Sequence, residues 1–120
     1  MGRLFVVAAL LAGCAPEAFV KYDFTYAVGR VAHQTDPTAI ELRHGEPDRP
    51  YVVLADLEVT MRQQTTFGEL PTPANVDAEL RDRAARLGAH AVVLVRYGSL
   101  GASFWTWHEL QGRGRAIRYR

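Results

Sequence analysis

The stretch YVVLADLEVTMRQ, residues 51–63, carries an apolar side chain at every odd position from Tyr51 to Met61. Its even positions turn polar at Asp56, Glu58, Thr60 and Arg62. A repeat of two is that of a β-strand, whose side chains point alternately to opposite faces. This one is expected to bury its odd face and wet the other. After the break QQTTFGELPTP the repeat changes: Val76, Leu80, Ala84 and Leu87 form one apolar stripe at helical spacing. Arg81, Asp82, Arg83 and Arg86 lie off that stripe, and Glu79 with Arg83 makes an i, i+4 pair worth about 0.3 kcal/mol. Thr72 can cap the helix, and Pro73 suits its first turn, where a missing N–H costs nothing. Gly88 is placed to close it at positive φ. HAVVLVRY, residues 90–97, then reads as a strand apolar on both faces at its centre, which predicts an interior position. Strand, helix, strand in this order predicts a right-handed crossover.

The flanks complete an α+β domain over residues 38–120. TAIELRH, residues 38–44, suits a short strand, and GEPDRP a turn. GSLGAS reads as a loop or hairpin turn, and FWTWHELQGRGRAIRYR as a long last strand or a strand pair. Gly112, Gly114 and Ala116 share one face there, and small residues let a helix lie close to a sheet. The expected order is ββαββ: a single helix on one face of a roughly four-stranded sheet. Residues 14–37 are expected to form an N-terminal extension or tether. FVKYDFTYAV within it is too aromatic for a floppy linker. Phe19, Tyr22, Phe24 and Tyr26 are therefore expected to pack on the domain or on a partner.

The first thirteen residues have a different logic. Arg3 supplies a positive charge, Leu4 to Leu11 is an unbroken apolar run, and Ala12-Gly13 is a small-residue exit. These are the parts of a secretory signal peptide. The run falls far short of the ~20 residues a helix needs to cross a bilayer. Leu11-Ala12-Gly13-Cys14 resembles the lipobox of bacterial lipoproteins. That resemblance implies that the Cys14 sulfur carries a diacylglyceryl group and that cleavage falls before it. Each buried methylene contributes about 0.8 kcal/mol, so two or three acyl chains anchor a protein stably. Ala15 follows the cysteine, rather than the aspartate that in enteric bacteria holds lipoproteins at the inner membrane. The resemblance thus implies the outer membrane, facing the periplasm.

Charge excludes one class of function. The chain carries 14 basic and 13 acidic residues. The leader holds Arg3 and no acid, so the mature part balances, unlike a typical nucleic-acid binder. Cys14 is the sole cysteine. Once lipidated it leaves no disulfide, and packing must supply the stability.

LRDRAARLGAHAVVLVRYG resembles the signature of the YbjQ-like superfamily, which includes the Rcs stress-sensor lipoprotein of the outer membrane. The matching positions are Ala85, Leu87, Gly88, Ala89, His90, Ala91 and Val92, then Gly114 and Ala116 in the last strand. YVVLADLEV is similar to a preceding strand of that family, with Ala55 where glycine is frequent. The likeness spans roughly residues 38–119. It implies the helix-on-sheet fold and an envelope role. The stress sensor carries disulfides in this domain, and this chain has none to form.

Candidate chemistry is sparse. His33, His44, His90 and His108 show no HxxxH or HxH spacing and no cysteine partner, so they are weak metal candidates. Asp56 and Glu58 alternate on one strand face; paired carboxylates can do acid–base work, but a solvated strand face is the commoner setting. Ser99 and Ser103 lack a GxSxG context, and Gly112-x-Gly114 lacks the third glycine of a phosphate loop. Trp105 and Trp107 would share a strand face, as core or as a partner patch. Arg113, Arg115, Arg118 and Arg120 form a basic run that suits a solvated edge or an anionic surface. The expectation is an envelope lipoprotein without catalytic activity or cofactor that binds another envelope component. Its candidate contacts are Trp105, Trp107, Arg113 and Arg115, and a homo-oligomer is left open. The alternative is a periplasmic domain for a small ligand or metal.

Overall fold

A computed structural model describes residues 19–65, 67–98 and 109–120. Its strands are β1 (Phe19–Ala27), β2 (Glu41–Leu42), β3 (Tyr51–Gln63), β4 (Ala91–Gly98) and β5 (Glu109–Tyr119). One helix, α1 (Pro73–Arg86), and a 3₁₀ turn at Pro37–Ala39 complete the elements. The sheet has five strands in the order β1-β3-β5-β4-β2. β3 pairs antiparallel with β1 and β5, β4 antiparallel with β5, and β2 parallel with β4. The architecture is α+β as expected. The strand count is five rather than four, and the order is βββαββ rather than ββαββ. The added strand is β1, from the stretch read as an extension. It pairs with β3 over its whole length, from Phe19 opposite Gln63 to Ala27 opposite Ala55.

α1 begins and ends as the sequence predicts. The Thr72 side chain accepts from the Asn75 N–H and Asn75 returns a bond to the Thr72 N–H, so two otherwise orphaned donors are satisfied. Gly88 has φ of 83°. A side chain there would also meet the His33 carbonyl oxygen at 2.6 Å, so the position excludes a Cβ twice over. The chain leaving β1 passes under this end. Ala32 and Thr35 donate their N–H groups to the Leu87 and Ala85 carbonyls, each at 2.9 Å, filling last-turn acceptors that a helix cannot fill itself.

Val76, Leu80, Ala84 and Ala85 of α1 are buried against Ala55, Leu57, Val59 and Met61 of β3. The approach is close because β5 presents glycine at two positions on this face, Gly112 and Gly114. A Cβ on Gly112 would lie 2.1 Å from Val76 Cγ1. Gly114 lies under Val92, whose Cγ1 would be 2.4 Å from an added Cβ. The small-residue face therefore sets the helix-to-sheet distance.

Two β-bulges change the simple alternation. In β3, Val53 opposes Ile117 and Ala55 opposes Ala116, so Leu54 is the extra residue. The expectation that Tyr51 and Val53 share a face with Ala55, Leu57, Val59 and Met61 is thereby corrected. Tyr51 and Val53 instead join Ala91, Val93 and Ile117 in a second apolar cluster on the face away from α1. In β4, Val93 opposes Arg115 but Arg96 opposes Arg113. Leu94 within this bulge has φ of 56°, an unusual conformation for a residue with a branched side chain.

Candidate functional site

The sheet face away from α1 carries charged, polar and aromatic side chains from four strands. The register builds it in rows. Tyr26, Asp56 and Arg115 lie side by side on β1, β3 and β5, ending at Val93 on β4. The next row reads Phe24, Glu58, Arg113, Arg96, and the one after it Tyr22, Thr60, Gln111, Gly98. A hollow of about 290 Å³ opens across the first two rows, between Tyr26 and Arg96 and over Leu94 and Gly114. A second, of about 240 Å³, lies beside it between Arg96, Tyr97, Gln111 and Arg113.

β1 gives this face its aromatic margin. Its odd residues turn toward α1, where Lys21 and Asp23 are ion-paired with Glu79 and Arg83. Its even residues Tyr22, Phe24 and Tyr26 are 47%, 57% and 55% exposed, so folding leaves three aromatic rings in a row in water. Phe24 and Tyr26 stack with centroids 6.3 Å apart. Arg62 lies over the Tyr22 ring at 5.7 Å and donates to its hydroxyl at 3.2 Å.

The charged rows are largely internally matched. Arg115 grips Asp56 in a fork, Nε to Oδ1 at 2.8 Å and Nη2 to Oδ2 at 3.4 Å. That hydrogen bond raises the already high pKa of Arg115. Glu58 lies 3.7 Å from Arg113 and also accepts from the Gln111 amide. Asp56 and Glu58, read from the sequence as a conceivable acid–base pair, are thus each held by an arginine on β5. Arg113 and Arg115, expected as partner contacts, both line the larger hollow.

The histidines are dispersed. His33 is exposed in the connection after β1. His44 Nδ1 lies 3.0 Å from the Val95 carbonyl oxygen, with its ring edge-on to Tyr97. His90 stacks on Tyr119 and accepts the Tyr119 N–H at Nδ1, at 3.0 Å. Burial lowers the His90 pKa, and Arg118 and Arg49 lower it further. Among the described residues no three His, Cys, Asp or Glu side chains gather as a metal site would require. Cys14, Trp105, Trp107 and His108 lie outside the described residues, as does the leader at 1–13.

Two features of this face escape a reading by composition. Tyr22, Phe24 and Tyr26 alternate with Lys21, Asp23 and Thr25, which is a strand pattern that aromatic content alone conceals. Arg96 faces this side only because the β4 bulge turns it there, and nothing in VVLVRYG marks that bulge.

No family model matches the sequence, and no curated protein matches it. The fold is similar to that in the crystal structure of the Francisella virulence factor FvfA, with a TM-score of 0.52 and 15% identity. The match covers 82% of this chain and 99% of that one. At that identity the likeness concerns the fold.

Proposed function

We propose that the chain is a lipid-anchored protein of the bacterial envelope that binds another envelope component through the sheet face opposite its helix, without catalysing a reaction. The anchor is Cys14, held to the outer membrane and facing the periplasm. The lipobox-like LAGC and the resemblance to the YbjQ-like superfamily support the location. One observation carries the binding role: Tyr22, Phe24 and Tyr26 stand exposed in a row on β1. A small domain with no disulfide gains nothing in stability from rings left in water, whereas aromatic side chains are favoured anchors at interfaces.

A photocrosslinking amino acid at Phe24, in intact cells, tests this role. It is expected to give a discrete adduct that Tyr22→Ala and Tyr26→Ala together abolish. The same probe at Phe67, which is 99% exposed in the β3–α1 connection, is expected to give none. Identical products from both positions, or no product from Phe24, would reject the docking face. Cys14→Ala is expected to release the protein from the membrane fraction, and retention there would reject the anchor.

A further inference from the structure

We propose that Arg96 and Arg113 form a binding site for a phosphoryl group on the sheet face opposite α1. The site does not rest on the docking role proposed above.

The geometry begins with the β4 bulge. Val93 opposes Arg115, so a regular ladder would set Val95 opposite Arg113. The extra residue shifts the pairing by one. Val95 is driven into the core beneath α1, where it is 4% exposed, and Arg96 is turned outward opposite Arg113. Leu94 adopts φ of 56° to make the shift, a conformation that strongly favours glycine. A strained backbone thus brings two like charges face to face, and directly opposed like charges on adjacent strands destabilise a sheet. Two locally unfavourable choices that produce one arrangement are characteristic of a binding site.

The pair is short of negative charge. Glu58 serves Arg113 from 3.7 Å and is shared with Gln111. Arg96 is exposed, and its side chain makes no ion pair or hydrogen bond among the described residues. The β4–β5 connection, residues 99–108, contains no acidic residue in its sequence. Both hollows on this face are walled by Arg96 and Arg113, and no other residue is common to the two.

The number of acceptors needed points to the ligand. One planar carboxylate satisfies one guanidinium, as Asp56 does for Arg115 a single row away. Two guanidiniums on neighbouring strands call for an anion with more oxygens in more than one plane. A tetrahedral phosphoryl group has that shape, and arginine forks match it. Free phosphate and the headgroup of an anionic phospholipid both supply it.

The test follows the side-chain Nε–Hε signals of the full chain by NMR in an uncharged maltoside detergent. Inorganic phosphate is titrated at constant ionic strength in one arm. In the other, phosphatidylglycerol is added to the micelles. Saturable shifts of Arg96 and Arg113 in the first arm identify a site open to free phosphate. Shifts confined to the second identify a headgroup site. Arg96→Gln is expected to weaken binding at least about tenfold. The same variant is expected to fold and to be slightly more stable, since it removes the like-charge contact, which separates a binding role from a structural one. Arg96→Lys, which keeps the charge but not the fork, is expected to bind with intermediate affinity. No saturable shift in either arm, equal shifts with acetate in place of phosphate, or unimpaired binding by Arg96→Gln would each overturn the assignment.

Discussion

Arg83 on α1 reaches Asp23 on the edge strand, with Nη2 2.7 Å from Oδ2. The same nitrogen lies 2.9 Å from Glu79, which Lys21 approaches at 3.4 Å. Four charges, two of each sign, therefore tie β1 to the helix. β1 has one neighbouring strand, so this network is its second attachment. The Asp23 and Arg83 side chains are each about a quarter exposed, which limits the value of their pairing. Asp23→Ala is expected to lower stability by about 1 kcal/mol. Amide exchange is expected to quicken in β1 more than in β5. Equal protection in the two strands after the change would show that backbone pairing alone holds β1.

Gly112 should be intolerant of any side chain. A Cβ there would lie 2.1 Å from Val76 Cγ1, and valine has little rotamer freedom in a helix with which to move away. Gly112→Ala is expected to cost about 2 kcal/mol by overpacking. Adding Val76→Ala should recover part of that loss, a coupling that denaturant unfolding of the single and double variants would measure. Gly98→Ala, where an added Cβ meets nothing within 4 Å, is the control and should be neutral or mildly stabilising. A loss at Gly98 as large as that at Gly112 would refute the close-packing account.

His90 makes stability depend on pH in a defined direction. Its folded-state pKa lies below the ordinary 6.5, chiefly through burial, with Arg118 and Arg49 adding to the effect. The unfolded chain therefore binds a proton more readily than the folded one. The contribution is present in full above pH 6.5 and is lost as pH falls from there through the folded value. Protonation of Nδ1 would also forfeit the bond from the Tyr119 N–H. Melting temperatures of the parent chain should fall as pH drops below 6.5, and His90→Asn, which keeps an acceptor but no titration, should flatten that slope. A slope unchanged in His90→Asn would assign the dependence elsewhere.

Tyr97 gives the opposite sign at alkaline pH. Burial, with the hydrogen bond its phenol donates to Asp77, pushes its pKa up to about 12 from 10.0. The neutral phenol is favoured in the fold, so its contribution holds below pH 10 and is lost as pH rises toward 12. Phenolate absorbance, taken as the difference between the parent and Tyr97→Phe, should show one late-titrating tyrosine. Asp77→Asn should bring that titration closer to 10 without restoring it fully, because burial remains. A Tyr97 titration already at the ordinary value in the parent would contradict the buried placement.

Local patterns determined much of this protein. The Thr72 cap, the stripe from Val76 to Leu87 and the Gly88 stop are decided within a few residues of themselves, so α1 is legible end to end. The alternation from Ala55 to Met61 and the small face of Gly112, Gly114 and Ala116 likewise state which surfaces meet. What the tertiary structure alone decided is nonlocal. β1 becomes a strand because β3 offers it an edge, and Asp23 and Lys21 find partners on α1 more than fifty residues away. The bulges at Leu54 and Leu94 lie in runs that are apolar at every position, where a shift of one residue leaves no mark in the sequence. They become visible only when β5 sets the register. The candidate site depends on that register: the row Phe24, Glu58, Arg113, Arg96 draws one residue from each of four strands, and no sequence spacing connects them.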